Sequence, residues 1–268
     1  MKRRNKIIII IIMLIIIGLG VFIGSIFLSD SPTLTLGDKS ILVLAVDKNE
    51  QTGGGLDMAF MVELDNGTLA NYTPIYPGGM THPNKTAPGG LSGPMFLHDS
   101  LWNGPEEGIE NAKEIVEYNT GMHADAVVIV YDEGLDAIID SIRPLEVNGV
   151  VTNLSSVDIV RQNDNYAGYA GRDTGITGNM SRGDAVLVLA KALAEAAEDP
   201  GKKATMTEVA IKQYSEGNIV MEPEDSFIRL LATKGFESLT WLSFFYFLLI
   251  EEDNYIQSKF FLVFFLNR

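Results

Sequence analysis

An α/β fold with a mixed central sheet flanked by helices is what this sequence predicts, and three observations predict it. Short apolar runs at residues 41–46, 58–64 and 126–131, rich in Val, Ile, Leu and Met, have the length of buried strands. The triplet Asp65-Asn66-Gly67 between two such runs is a type I′ hairpin signal. Helical periodicity with recognisable start and stop signals follows from Pro105 and again from Ser181. About 200 residues carry this mixture, which one domain with a sizeable core accommodates.

The chain divides before the fold begins. Residues 1–6 form a basic stub and residues 7–28 contain no charge. At about 1.5 Å per residue that run reaches about 33 Å as a helix, against about 30 Å of bilayer hydrocarbon. It is longer than the apolar core of a cleaved signal peptide, so it reads as an uncleaved transmembrane helix. Lys2, Arg3, Arg4 and Lys6 precede it while Asp30 and Asp38 follow. The positive-inside rule then puts the N-terminus in the cytoplasm and the domain, residues 40–234, outside a single-pass cell-membrane anchor. Residues 29–39 are the linker.

Element by element, residues 41–46 (ILVLAV) read as a strand ending in Asp47, and residues 58–64 as a second strand leading through the hairpin into residues 68–76. Residues 77–93 hold many of the prolines and glycines and read as a long loop. Pro105 and two glutamates fit a helical first turn, Ile109, Ala112, Ile115 and Val116 share a face, and Asn119-Thr120-Gly121 is the stop. Strand 126–131, a helix through Leu135, Ile138 and Ile139, and a strand near 145–151 suggest a right-handed crossover unit. Ser155 can cap a short helix to Val160, and residues 161–180 read as a second large loop. Ser181 opens a helix that ends at Asp199-Pro200-Gly201, followed by helices over about 205–214 and 223–231. Residues 235–268 carry eight of the 13 phenylalanines in two apolar runs too short to span. This tail reads either as a run-on extension outside the fold or as a membrane-contacting segment.

Composition excludes several function classes. A formal charge of −15 repels nucleic acid. The absence of cysteine removes disulfides, thiolate metal sites and a cysteine nucleophile. His82, His98 and His123 show no metal spacing, no G-x-S-x-G elbow occurs, and the Gly-rich stretches lack the strand-to-helix setting of a nucleotide loop. Sequons at Asn66, Asn71, Asn84, Asn153 and Asn179 accord with an outward-facing domain.

Two groups of residues could carry chemistry. Asp47 ends the first strand and Asp57 begins the second, so their carboxylates can share a hard divalent cation; the alternative is that both merely terminate strands. Arg161, Arg172, Asp173, Arg182 and Asp184 concentrate base in the second loop. Arginine suits bidentate phosphate binding, and Arg182 lies near a helix N-terminus; the alternative is surface Arg–Asp pairing.

The order of these features resembles the LytR-CpsA-Psr family of membrane-anchored phosphotransferases, which move cell-wall polymers from a polyprenyl pyrophosphate carrier. Ile41 to Asp47 is similar to the family's first strand and its aspartate, and Leu56-Asp57-Met58 to its second metal-linked aspartate. Tyr118-Asn-Thr-Gly-Met122 before strand 126–131 is similar to its "LTGI" helix end, and Ser181-Arg182 to its "GR" motif. Thr73-Pro-Ile-Tyr-Pro-Gly-Gly-Met80 and Leu97-His-Asp-Ser-Leu-Trp102 look still more like a divergent branch of uncharacterised membrane-anchored proteins of methanogenic archaea. The resemblance covers about residues 38–234. It implies Asp47 and Asp57 as ligands of Mg2+, Arg172 and Arg182 as catalytic residues facing a pyrophosphate, and a polyprenyl-linked (pyro)phosphate or envelope glycan as partner. The chain departs from the family where a "PRD" motif supplies another arginine, since Gly78 and Gly79 follow Pro77 here. Two readings result: a phosphotransferase of envelope assembly, or a non-catalytic envelope protein that binds glycan or lipid carrier on the same fold. A metal-dependent hydrolase on an unrelated fold is a distant third.

Overall fold

The computed structural model describes residues 32–48, 55–75, 78–163 and 180–234. The expected membrane helix at 7–28 and the tail at 235–268 lie outside the described residues. Among the described residues no helix is long and apolar enough to cross a membrane.

The main sheet has five strands, here β1 (Asp38–Val46), β2 (Leu56–Asp65), β3 (Thr68–Ile75), β6 (Ala126–Tyr131) and β9 (Ile219–Glu222), in the order β3-β2-β1-β6-β9. It is mixed, as expected: β1 runs parallel to β6, and the other neighbours are antiparallel. The β2–β3 turn has Asn66 and Gly67 at φ 48° and 73°, the left-handed pair that a type I′ hairpin requires. Asn66 Oδ1 also accepts the Gly37 N–H at 3.0 Å, tying the hairpin to the start of β1.

Strand alternation divides β1 between two faces. Leu42, Leu44 and Val46 join Ile109, Ala112, Ile115 and Val116 of α1 (Pro105–Thr120) in the largest core cluster. Helix α1 starts with Pro105 at its first turn and stops at Gly121, left-handed at φ 74°. Ile41 and Val43 face the opposite side, where Leu34 and Phe227 of α6 (Glu224–Lys234) cover one end. Farther along, α2 (Asp132–Ser141), α3 (Ser156–Asn163), α4 (Arg182–Ala196) and α5 (Pro200–Ser215) complete that layer. Their own cluster includes Ile139, Ile159, Leu189 and Ala192. Two side chains cap helices: Ser181, as expected, accepts the Asp184 N–H at 3.2 Å, and Asp199, read from the sequence only as part of a helix end, accepts the Lys202 N–H at 2.9 Å and opens α5.

Four expectations are corrected. The stretch 77–93 is not wholly loop, because Thr81–Thr86 forms β4 and pairs with β5 (Pro94–Phe96). His82 anchors that hairpin: its Nδ1 accepts the N–H groups of Asn84 and Lys85, which leaves the ring proton on Nε2, 2.7 Å from Glu114 of α1. Residues 145–151 are not one strand completing a crossover. They turn back at Asn148-Gly149, both left-handed, to form a separate hairpin of β7 (Leu145–Val147) and β8 (Val150–Thr152). The place beside β6 is taken by β9, which the sequence reading missed because four residues between two helices carry too little pattern. Finally, α5 begins at Pro200, not near 205, with the proline at its first turn.

Candidate functional site

Strands β1 and β6 run parallel and end at one edge, which is where open α/β sheets place ligand crevices. Asp47 follows β1 and Asp132 follows β6. The Lys48 N–H donates to Asp132 Oδ1 at 3.2 Å and joins the two strand ends. The Asp47 N–H donates to Gly55 O at 2.9 Å, which brings the start of β2 to the same edge.

A β-bulge then aims Asp57. Ala45 pairs with Met58 but Val46 pairs with Leu56, so Asp57 is the extra residue. Leu56 and Ala59 therefore both enter the α1-side core, a spacing that strict alternation forbids, while Asp57 and Met58 line the opposite cavity. Asp47, Asp57, Asp132, Ser156 and Arg161 share that cavity. Arg161, in the last turn of α3, puts Nη2 3.8 Å from Asp57 Oδ2. The Asp132 carboxyl holds its proton more tightly than an ordinary aspartate: burial raises it, the Lys48 N–H opposes, and the neighbouring Glu133 charge raises it further.

A second cavity of about 330 Å3 lies between the sheet and α4. Its walls include Val43, Phe60, Val62 and Leu69 from the sheet and Ala190 and Leu193 from α4. Ala45, Val130, Leu135, Val186 and Leu189 border both cavities, so the two lie side by side. Small residues on α4, Ala190 and Ala194, leave this space open.

Asp47 and Asp57 thus occupy one cavity, as their strand-end positions suggest. Among the described residues no set of three His, Asp or Glu side chains is arranged to hold a metal. Two carboxylates nevertheless suit Mg2+, which commonly takes one or two protein carboxylates and completes its shell with water and phosphate.

The similarities to known proteins can be set beside this geometry. A family described as "Protein of unknown function (DUF4012)" matches residues 37–166, just under half of the chain. Among curated proteins, none matches the sequence. Similar solved structures include TagV of Bacillus subtilis, at 16% identity and TM-score 0.44, covering 75% of this chain and 81% of that one. The protein gbs0355 of Streptococcus agalactiae aligns at 15% identity and TM-score 0.48, covering 73% and 72%. A LytR-Csp2A-Psr enzyme from Actinomyces oris aligns at 18% identity and TM-score 0.43, covering 75% and 76%.

Of the two arginines expected to be catalytic, Arg172 lies outside the described residues. Arg182 is the first residue of α4, beside its Ser181 cap, and its side chain is likewise outside the description. Met180 N–H donates to Asn163 O at 3.2 Å, so the ends of the stretch that contains Arg172 meet between α3 and α4. Asp132 is a site residue the sequence reading does not single out, and Arg161, one of the expected loop bases, lines the crevice. Arg161 was grouped with a loop, whereas it closes a helix; Asp132 had a readable signal, because the β6 run ends in aspartate as the β1 run does.

Proposed function

We propose that the protein is a membrane-anchored envelope protein that binds a polyprenyl-linked (pyro)phosphate and transfers the attached glycopolymer phosphate to an acceptor hydroxyl. The observation that carries this reading is that a crevice bordered by Asp47, Asp57, Asp132 and Arg161 lies beside an apolar cavity of about 330 Å3 and shares five lining residues with it. One amphiphile with a phosphate head and an isoprenoid tail fills both. Each buried methylene contributes about 0.8 kcal/mol, so the tail supplies most of the affinity.

Asp47, Asp57, Asp132 and Arg161 line the crevice, and carboxylate oxygens beside a phosphate suit a hard cation. Mg2+ held by Asp47 and Asp57 would supply the neutralisation that phosphoryl transfer needs. The chain's own part is positioning and charge. Arg161 faces the bridging region of the pyrophosphate, and the apolar walls hold the carrier so that the glycan-bearing phosphorus meets the acceptor. The acceptor oxygen bonds to that phosphorus, its proton passes to a crevice carboxylate and on to solvent, and the P–O bond to the polyprenyl phosphate breaks, releasing polyprenyl phosphate.

A non-catalytic reading has one specific feature in its favour. Gly78 and Gly79 stand where the resembled family has an arginine clamp, and the loss of such a clamp costs several kcal/mol of barrier. A protein so altered would still hold lipid carrier or glycan. Calorimetry of the full chain in detergent with a polyprenyl pyrophosphate analogue, with and without Mg2+ and repeated with Asp57→Ala, tests the site. Mg2+-dependent binding that the substitution abolishes is expected. Equal binding in all conditions would refute it, and turnover against an acceptor then separates the transferase from the carrier-binding reading.

A further inference from the structure

Ser156 is 3% exposed, and its hydroxyl makes no hydrogen bond to any protein group. Buried side-chain hydroxyls are rarely left so, because an unpaired one costs about 1–3 kcal/mol. Folding does not explain it. Ser155, the preceding residue, caps α3 by accepting the Asp158 N–H at 3.1 Å and donating to Asp158 Oδ2 at 2.9 Å. The Ser156 N–H is bound to Asp136 Oδ1 at 2.6 Å, which fixes the residue against α2. The side chain is therefore held in place by its backbone while its hydroxyl is unused, and the residue borders the crevice with Asp57, Asp132 and Arg161.

We infer that Ser156 is a ligand-binding residue whose hydroxyl donates a hydrogen bond to a phosphate oxygen of an isoprenoid phosphate headgroup. This rests on the site reading proposed above and adds to it the donor that reads the head. Carboxylates cannot donate to a phosphate, so the donors that border the crevice are the Arg161 guanidinium, whose Nη2 lies 3.8 Å from Asp57 Oδ2, and the Ser156 hydroxyl. A neutral hydroxyl on a rigid first turn supplies a directed donor beside that charge. The position selects a phosphorylated isoprenoid over the corresponding alcohol.

The test compares the full-length protein with Ser156→Ala and Ser156→Thr in detergent with Mg2+, using undecaprenyl phosphate, undecaprenol and a ligand-free thermal melt. For Ser156→Ala the expected results are a loss of affinity for the phosphate on the order of tenfold, unchanged binding of the alcohol, and a ligand-free melting temperature equal to or above that of the parent. Ser156→Thr, which keeps the hydroxyl, retains the preference for phosphate over alcohol. Undiminished phosphate binding by Ser156→Ala, while Asp57→Ala loses it, overturns this inference and leaves the site reading intact. A lowered melting temperature with equal losses for both ligands also overturns it, since that is the signature of a structural serine. Failure of the parent protein to bind either ligand removes the site reading itself.

Discussion

At the scale of single residues, the site holds the Asp132 carboxylate against its preference. Asp132 binds its proton more tightly in the fold than in the unfolded chain, chiefly because burial disfavours its charge. The linkage has a definite sign. Acidification through the interval between the raised value and the ordinary aspartate value favours the folded state, and stability is lost as pH rises through it. Asp132→Asn keeps an acceptor for the Lys48 N–H and removes the charge. It is expected to raise the melting temperature at neutral pH by an amount worth less than about 1 kcal/mol, since the group is partly solvated. The gain should vanish below about pH 3, where aspartate is protonated in both states; an Asn variant less stable at neutral pH would contradict this account. Asp47 and Asp57 were legible as site candidates because strand-end aspartates need only the strands to be recognised. The bulge that aims Asp57 was not legible, since Leu56-Asp57-Met58 reads as ordinary alternation until the Ala45–Met58 and Val46–Leu56 pairings are known.

At the scale of elements, α4 decides how much space the apolar cavity has. Ala190 and Ala194 face the sheet where larger residues would close it. Ala190→Leu should fill part of the void, stabilise the protein by about 0.5–2 kcal/mol and weaken isoprenoid binding, with calorimetry and thermal melts as readouts. Unchanged isoprenoid affinity in a stabilised variant would place the tail elsewhere. Helix α4 and helix α1 were clear in the sequence because each carries a start signal, Ser181 and Pro105 respectively, an apolar face and a stop. The elements misread were those whose identity depends on a partner. Strand β9 pairs antiparallel with the edge of β6, and residues 145–152 pair with each other in a separate hairpin. The Asn148-Gly149 signal for that hairpin was present and was outweighed by the expectation of a crossover.

At the scale of the whole molecule, one mixed sheet separates two jobs. The α1 face buries a cluster of Leu, Ile, Val and Met side chains, and the opposite face holds a crevice and a cavity under α4. The fold class was readable from strand runs, one hairpin signal and helix punctuation, because those depend on local chemistry. The adjacency of charged and apolar cavities was not readable, because it arises only when β1 and β6 pair in parallel and α4 lies over them. In the proposed function a single amphiphile lies across both spaces, its head in the crevice and its tail under α4. Photo-crosslinking of the full chain with an isoprenoid pyrophosphate carrying a photoreactive group on its tail, mapped by mass spectrometry, tests it most directly. The account predicts labels on Val186, Ala190 or Leu193 of α4 and on Leu69 or Tyr72 of β3, competed away by unlabelled ligand. Labelling confined to the α1 side of the sheet or to the exposed Val150-Val151 of β8 would contradict it.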